Sequence, residues 1–132
     1  MKPLAFDTST ASLPLAAQHG ERVINHSGAG GAQASAGLIP ALRQVLAEAA
    51  LPLDALDALV FGRGPGSFTG VRTACSVAQG LAFGARGGAG LPVLPVDSLL
   101  AVAEDARHRH GCTQVVAVLD ARTGAGRLFE VD

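Results

Sequence analysis

The chain has 132 residues, 17 of them glycine and 5 aromatic, with 48% hydrophobic residues, 16% charged residues and a formal net charge of −1. That length accommodates one compact domain and not two full ones, and the apolar fraction with balanced charge excludes intrinsic disorder. Lys2 is the single lysine beside nine dispersed arginines, so the chain lacks the cationic cluster that would neutralise phosphates and is not expected to hold nucleic acid alone.

Residues 2–8 read as a strand, with Leu4, Ala5 and Phe6 as an apolar run ending on Asp7. The run is too short for a signal peptide or a membrane span, and a cytoplasmic setting is expected. Cys75 and Cys112 form no Cys-x-x-Cys pair and read as buried thiols. After a turn at 9–11, residues 12–18 and 21–26 form two further short strands around His19-Gly20, giving a three-stranded antiparallel meander. Residues 27–37 are rich in Gly, Ala and Ser without periodicity, and are expected to be a mobile loop.

From 38 to 51, Leu38, Leu42, Val45 and Ala49 recur at helical spacing, Ile39 and Leu46 widen the stripe, and Pro40 falls in the first turn. Residues 56–62 form a strand apolar enough for burial on both faces, 71–85 a second helix, and 91–96 a strand whose two prolines place it at an edge. Asp97-Ser98 caps a third helix to about 109, whose His108 and His110 belong to a solvated end, and 115–120 with 127–131 form a hairpin. His19 and His26 read as surface residues in or beside turns. The order implies an α/β fold: a mixed five-stranded sheet, three antiparallel strands followed by alternating helices and strands. Residues 1–112 form this lobe, and 113–132 resemble the first hairpin of a second lobe that is not completed.

The most specific segment is Gly62-Arg63-Gly64-Pro65-Gly66-Ser67-Phe68-Thr69-Gly70-Val71-Arg72, which leaves a strand and enters a helix. It is not a P-loop, because no lysine precedes Ser or Thr. A dinucleotide fingerprint would need an acidic residue downstream, and none lies between Asp57 and Asp97. The Gly-x-Ser-x-Gly spacing of a nucleophile elbow is also missing. Two readings stay open: an anion site formed by Arg63, Gly64, Gly66, Ser67, Thr69, Gly70 and Arg72, or a structural strand-to-helix turn. Asp7-Thr8-Ser9-Thr10, a carboxylate followed by three hydroxyls, is the second candidate. Such a turn can hold phosphate while the aspartate orients a metal-bound water, or it can merely close on itself. Asp120-Ala121-Arg122 occupies a similar strand-to-turn position.

Along the second helix, Val71, Ala74, Cys75, Ala78, Leu81 and Ala82 lie on one stripe and Thr73, Val77, Gly80 and Gly84 on another. One stripe would face the sheet and the other would admit a neighbouring backbone, unless both are internal.

Leu4 to Thr10, Gly62 to Arg72, Ala78-Gln79-Gly80-Leu81-Ala82, Pro95 to Leu99 and Asp120-Ala121-Arg122 together resemble the TsaB (YeaZ) family of bacterial tRNA threonylcarbamoyladenosine biosynthesis proteins. That family lies in the glycoprotease-like branch of the actin/sugar-kinase/heat-shock ATPase superfamily, so the resemblance implies a ribonuclease H-like, actin-like lobe. It implies a non-catalytic subunit that pairs with the catalytic paralogue TsaD, works with the ATPase TsaE, and forms a homodimer in isolation. Contact with tRNA would come only through the complex, as would any ATP or ADP. The partner interface would use the first two helices, through Leu42, Leu46, Val71, Ala74, Ala78 and Leu81. Where the paralogue carries a His-x-x-x-His metal motif, the resemblance places Ser98 and Val102, and no metal is expected. The chain departs from the family at Gln33-Ala34-Ser35, where relatives carry a histidine, and after Arg122. The competing expectation is an enzyme of the same superfamily, a nucleotide hydrolase, kinase or peptidase using Asp7 and Asp120.

Overall fold

The computed structural model describes residues 1–119 and 126–130. Strands β1 (Pro3–Phe6), β2 (Ser12–His19), β3 (Arg22–Ala29), β4 (Ala58–Gly62) and β5 (Val93–Val96) form one sheet in the order β3-β2-β1-β4-β5. The first three strands pair antiparallel, and β4 pairs parallel with both β1 and β5. Helices α1 (Ala34–Glu48), α2 (Phe68–Gly84) and α3 (Ser98–His110) alternate with the later strands. Strands β6 (Val115–Leu119) and β7 (Gly126–Glu130) make a separate antiparallel pair packed beside α3. The mixed five-stranded α/β architecture is the one expected, and β5 is one of its two edges, β3 being the other.

Alternation along the strands decides which face is covered. Leu4 is opposite both Ala17 and Leu59, and Phe6 opposite both Leu15 and Phe61, so these buried residues share one face. Helix α1 packs over β2 and β3, and α2 over β4 and β5. The stripe Leu38, Leu42 and Val45 meets the sheet there, and each fully buried Leu or Val contributes about 1.5–3 kcal/mol. Strand β4 is not sealed on both sides as its apolar run implied: Leu59 and Phe61 are buried, but Val60 and Ala58 on the other face are only half-buried.

The segment 27–37 is not a mobile loop. Strand β3 runs to Ala29, a 3-10 turn spans Gly31–Gln33, and α1 begins at Ala34. Contacts made far from it in sequence order the segment. The Gly30 backbone lies against the Thr10 and Ser12 carbonyls where a Cβ would overlap them, its N–H donates to Ala11 O at 2.9 Å, and Gly31 N donates to Thr8 O at 3.3 Å. Because α1 starts early, Pro40 sits inside the helix rather than in its first turn, where its missing N–H removes one intrahelical bond.

Helix α2 also starts before Val71, at Phe68, because Ser67 Oγ caps it by accepting from Gly70 N at 3.2 Å. Helix α3 begins as expected, with the Asp97 carboxylate accepting from Leu99 N at 2.9 Å, and ends on Gly111 at φ 68°. His26 lies mid-strand rather than beside a turn, half-buried, with Nε2 2.6 Å from Glu48 Oε2 on α1. Cys112 is buried and Cys75 half-buried. Among the described residues, no helix is long and apolar enough to cross a membrane.

Candidate functional site

The parallel strands β1 and β4 end side by side, and this brings the two segments singled out by sequence into contact. Asp7 follows the last residue of β1. Its Oδ1 accepts from Ser9 N at 2.7 Å, closing the hydroxyl turn locally. Its Oδ2 accepts from Ser98 Oγ, also at 2.7 Å, at the start of α3. Gly62, the last residue of β4, lies so close that a Cβ would overlap the Asp7 carboxylate. A glycine is required here by proximity.

Ser98 is the hub, a role that neither its place in the Asp97-Ser98 cap nor its place at a missing metal ligand reveals. It is 5% exposed. Its hydroxyl donates to Asp7 and accepts from Ser9 Oγ and from Gly64 N, each at 3.2 Å, while its own N–H donates to Gly64 O at 2.9 Å. A short hydroxyl one residue after a helix-capping aspartate was the available signal. Its partners, Asp7 and Ser9, lie about ninety positions upstream, and no local pattern reveals them.

The rest of the glycine loop lies on the same turn. Ser67 N donates to Ser9 O at 2.6 Å, and Gly66 packs where a Cβ would strike the Ser9 backbone. Thr8, fully buried, donates its hydroxyl to Gly70 O, and Gly70 in turn has no room for a Cβ beside the Thr8 carbonyl. Arg63 N donates to Val96 O at 2.9 Å. Thr10 Oγ1 reaches Ser12 O at 3.3 Å on the rim. The backbone donors of residues 63, 64, 67 and 70 therefore bind the protein itself. An anion cradle needs such donors aimed outward, and in this geometry they make a clasp that ties β1, β4, α2 and α3 together.

The charged and larger side chains of the loop point away from the clasp. Arg63, Phe68, Thr69 and Arg72 are exposed, and the Arg72 guanidinium lies 4.1 Å from the Phe68 ring centroid. Phe68 at 70% and Phe83 at 77% exposure stand at the two ends of α2's outer face. Gly80, between them, and Gly84, which ends the helix, would meet nothing if they carried a Cβ.

Burial corrects the interface residues read from the helical stripes. Ala74 and Ala78 are 0% exposed and Leu42 3%, packed against the chain's own sheet. Among the expected residues Leu46, Val71 and Leu81 are half-buried, with Leu46 and Leu81 packed against that same core. Asp120 and Arg122 lie outside the described residues.

Residues 30–129 match the family model described as TsaD, tRNA N6-adenosine threonylcarbamoyltransferase. The tRNA threonylcarbamoyladenosine biosynthesis protein TsaB of Haemophilus influenzae is 42% identical over 119 residues, which make up 90% of this chain and 49% of that protein. TsaB of Escherichia coli is 37% identical over 124 residues, 94% of this chain and 52% of that protein. The chain thus spans about half the length of these curated relatives. Among solved structures, YeaZ from Pseudomonas aeruginosa superposes with a TM-score of 0.82 at 38% identity, covering 99% of this chain and 61% of that one.

Proposed function

The chain belongs to the TsaD family, in its TsaB/YeaZ branch, and from that premise we propose that it acts in tRNA threonylcarbamoyladenosine biosynthesis as a non-catalytic subunit paired with a TsaD-type transferase. It works in the cytoplasm beside the ATPase TsaE, self-associates when the transferase is absent, and meets tRNA and any ATP or ADP only within the complex. Residues 1–112 form the lobe that pairs, and the β6–β7 hairpin opens a second lobe.

One observation carries the non-catalytic reading. Both Asp7 carboxylate oxygens accept hydrogen bonds from the protein, and the Ser98 hydroxyl has three partners. The resemblance sets Ser98 and Val102 where the transferase has its metal-binding histidines. A hydroxyl committed to three neighbours and a hydrocarbon do not fit a transition metal, which takes imidazole or carboxylate donors.

Pairing is supported by the outer face of α2. Arg72 is its one charged residue, Phe68 and Phe83 are exposed, and the open glycines allow a helix to approach closely. Large exposed aromatics of this kind are natural interface anchors. Leu46, Val71 and Leu81 extend that face inward. The test is size-exclusion chromatography of the chain with a TsaD-type transferase. Co-elution that Phe83→Asp abolishes without altering the circular dichroism supports the reading, and co-elution unaffected by that change refutes it.

A further inference from the structure

The outer face of α2 carries one cation and no acid to meet it. Arg72 is exposed, and among the described residues no carboxylate pairs with it. Its guanidinium is instead stacked on the Phe68 ring, 4.1 Å from the centroid, an arrangement that leaves the N–H donors free. Beside it lies a recess of about 430 Å3, lined by the hydroxyls of Ser35 on α1 and of Thr69, Thr73 and Ser76 on α2. Among the described residues no carboxylate lines that recess. It is a surface of donors waiting for an acceptor.

We propose that Arg72 is the residue by which this face tells a transferase from a second copy of the chain. The recess takes an aspartate or glutamate side chain of the transferase, and a second copy has none free to offer. The inference rests on the pairing proposed above and adds its selectivity. Helices α1 and α2 together hold three charged residues, Arg43, Glu48 and Arg72. Glu48 is already engaged, its Oε2 2.6 Å from His26 Nε2 on β3. Two copies that meet through these helices therefore bring arginines together and cover Arg72 without a partner. A charge taken out of water unpaired is strongly unfavourable. A partner that supplies a carboxylate offsets this with a bidentate, charge-assisted hydrogen bond. Because Phe68 already holds the guanidinium, little side-chain freedom is lost when that carboxylate arrives. Selectivity then comes as much from what the wrong partner leaves unsatisfied as from what the right one adds.

The experiment measures both pairings by analytical ultracentrifugation, the chain with itself and the chain with a TsaD-type transferase. Wild type, Arg72→Leu and Arg72→Lys are compared, with circular dichroism as the check on folding. Arg72→Leu should weaken the mixed pair about 30-fold or more, the usual loss when one side of a buried charge pair is truncated. The same change should tighten self-association about 10-fold or more, because it removes the uncompensated charge. Arg72→Lys keeps the charge without the planar fork and should recover part of the mixed pairing. A merely structural role for Arg72 would move both affinities in the same direction, and that result would overturn the proposal. A mixed pair indifferent to Arg72→Leu would also overturn it, while loss of that pair in Phe83→Asp would leave the pairing itself standing. Absence of a mixed pair with the unsubstituted chain would remove both. Saturable binding of pyrophosphate to the bare chain, abolished by Arg72→Leu, would assign the recess to a phosphate group and overturn the proposal as well.

Discussion

Ser98 Oγ stands 2.7 Å from Asp7 Oδ2, joining the first turn of α3 to the end of β1 across 91 positions of sequence. Replacing Ser98 by alanine removes the donor to Asp7 and the acceptor for Gly64 N at once. Each buried polar group left unsatisfied costs about 1–3 kcal/mol, so Ser98→Ala should lower unfolding stability by about 2–4 kcal/mol in urea titration. Ser98→Thr, which retains the hydroxyl, should recover part of the loss. A loss below about 0.5 kcal/mol, the range of an ordinary surface change, would mean the clasp is ornamental.

The glycines divide into two classes that mutagenesis can separate. Gly62→Ala forces a methyl into the Asp7 carboxylate, and Gly70→Ala forces one into the Thr8 carbonyl, both against atoms the fold holds fixed. Each should prevent accumulation of folded protein. Gly80→Ala meets nothing in this chain and should stabilise the helix by about 1 kcal/mol. The yield of folded protein reads the first two variants, and the thermal midpoint against wild type reads the third.

Position 78 distinguishes the inner from the outer side of α2. Ala78 is sealed against the sheet, and Ala78→Glu would bury an uncompensated charge, so loss of the circular dichroism signal is expected. Phe83→Asp alters a side chain that is 77% exposed and should leave that signal intact. A well-folded Ala78→Glu protein that merely fails to associate would restore the stripe as a partner surface.

The contact between β3 and α1 responds to acid. The hydrogen bond from His26 holds the exposed Glu48 carboxyl below its ordinary value of 4.5, with smaller help from the charges of His26 and Arg22. A carboxyl depressed in the folded state stabilises fully above the unfolded value, and this stabilisation is lost as pH falls through the folded one. The contribution should therefore be present at pH 5 and above and decline below about pH 4.5. NMR titration of Glu48 should show its pKa rising towards the ordinary value in His26→Ala. An unchanged titration curve would contradict the assignment.

Periodicity made much of the fold legible. Alternation gave the meander, and the 3.6-residue stripe gave Leu38, Leu42 and Val45 as the core side of α1. The order of 27–37 was hidden because it depends on Gly30 and Gly31 lying against Thr8, Thr10 and Ser12, a close approach between backbones that composition does not encode. Helix α2 presents small and apolar residues on both sides, so its period marks a helix without saying which stripe meets its own sheet. Asp7 and the glycine loop stood out separately. Their contact follows from the parallel pairing of β1 with β4, and Ser98 enters through α3, so the clasp becomes visible only once the topology is known.

The most direct measurement of the account is threonylcarbamoyl transfer to tRNA by a TsaD-type transferase with TsaE, assayed with and without this chain. The folded chain should raise the rate, with a gain that saturates near one chain per transferase and is removed by Phe83→Asp, and the chain alone should transfer nothing. No gain from the folded chain, or transfer by the chain alone with ATP and magnesium, would contradict it.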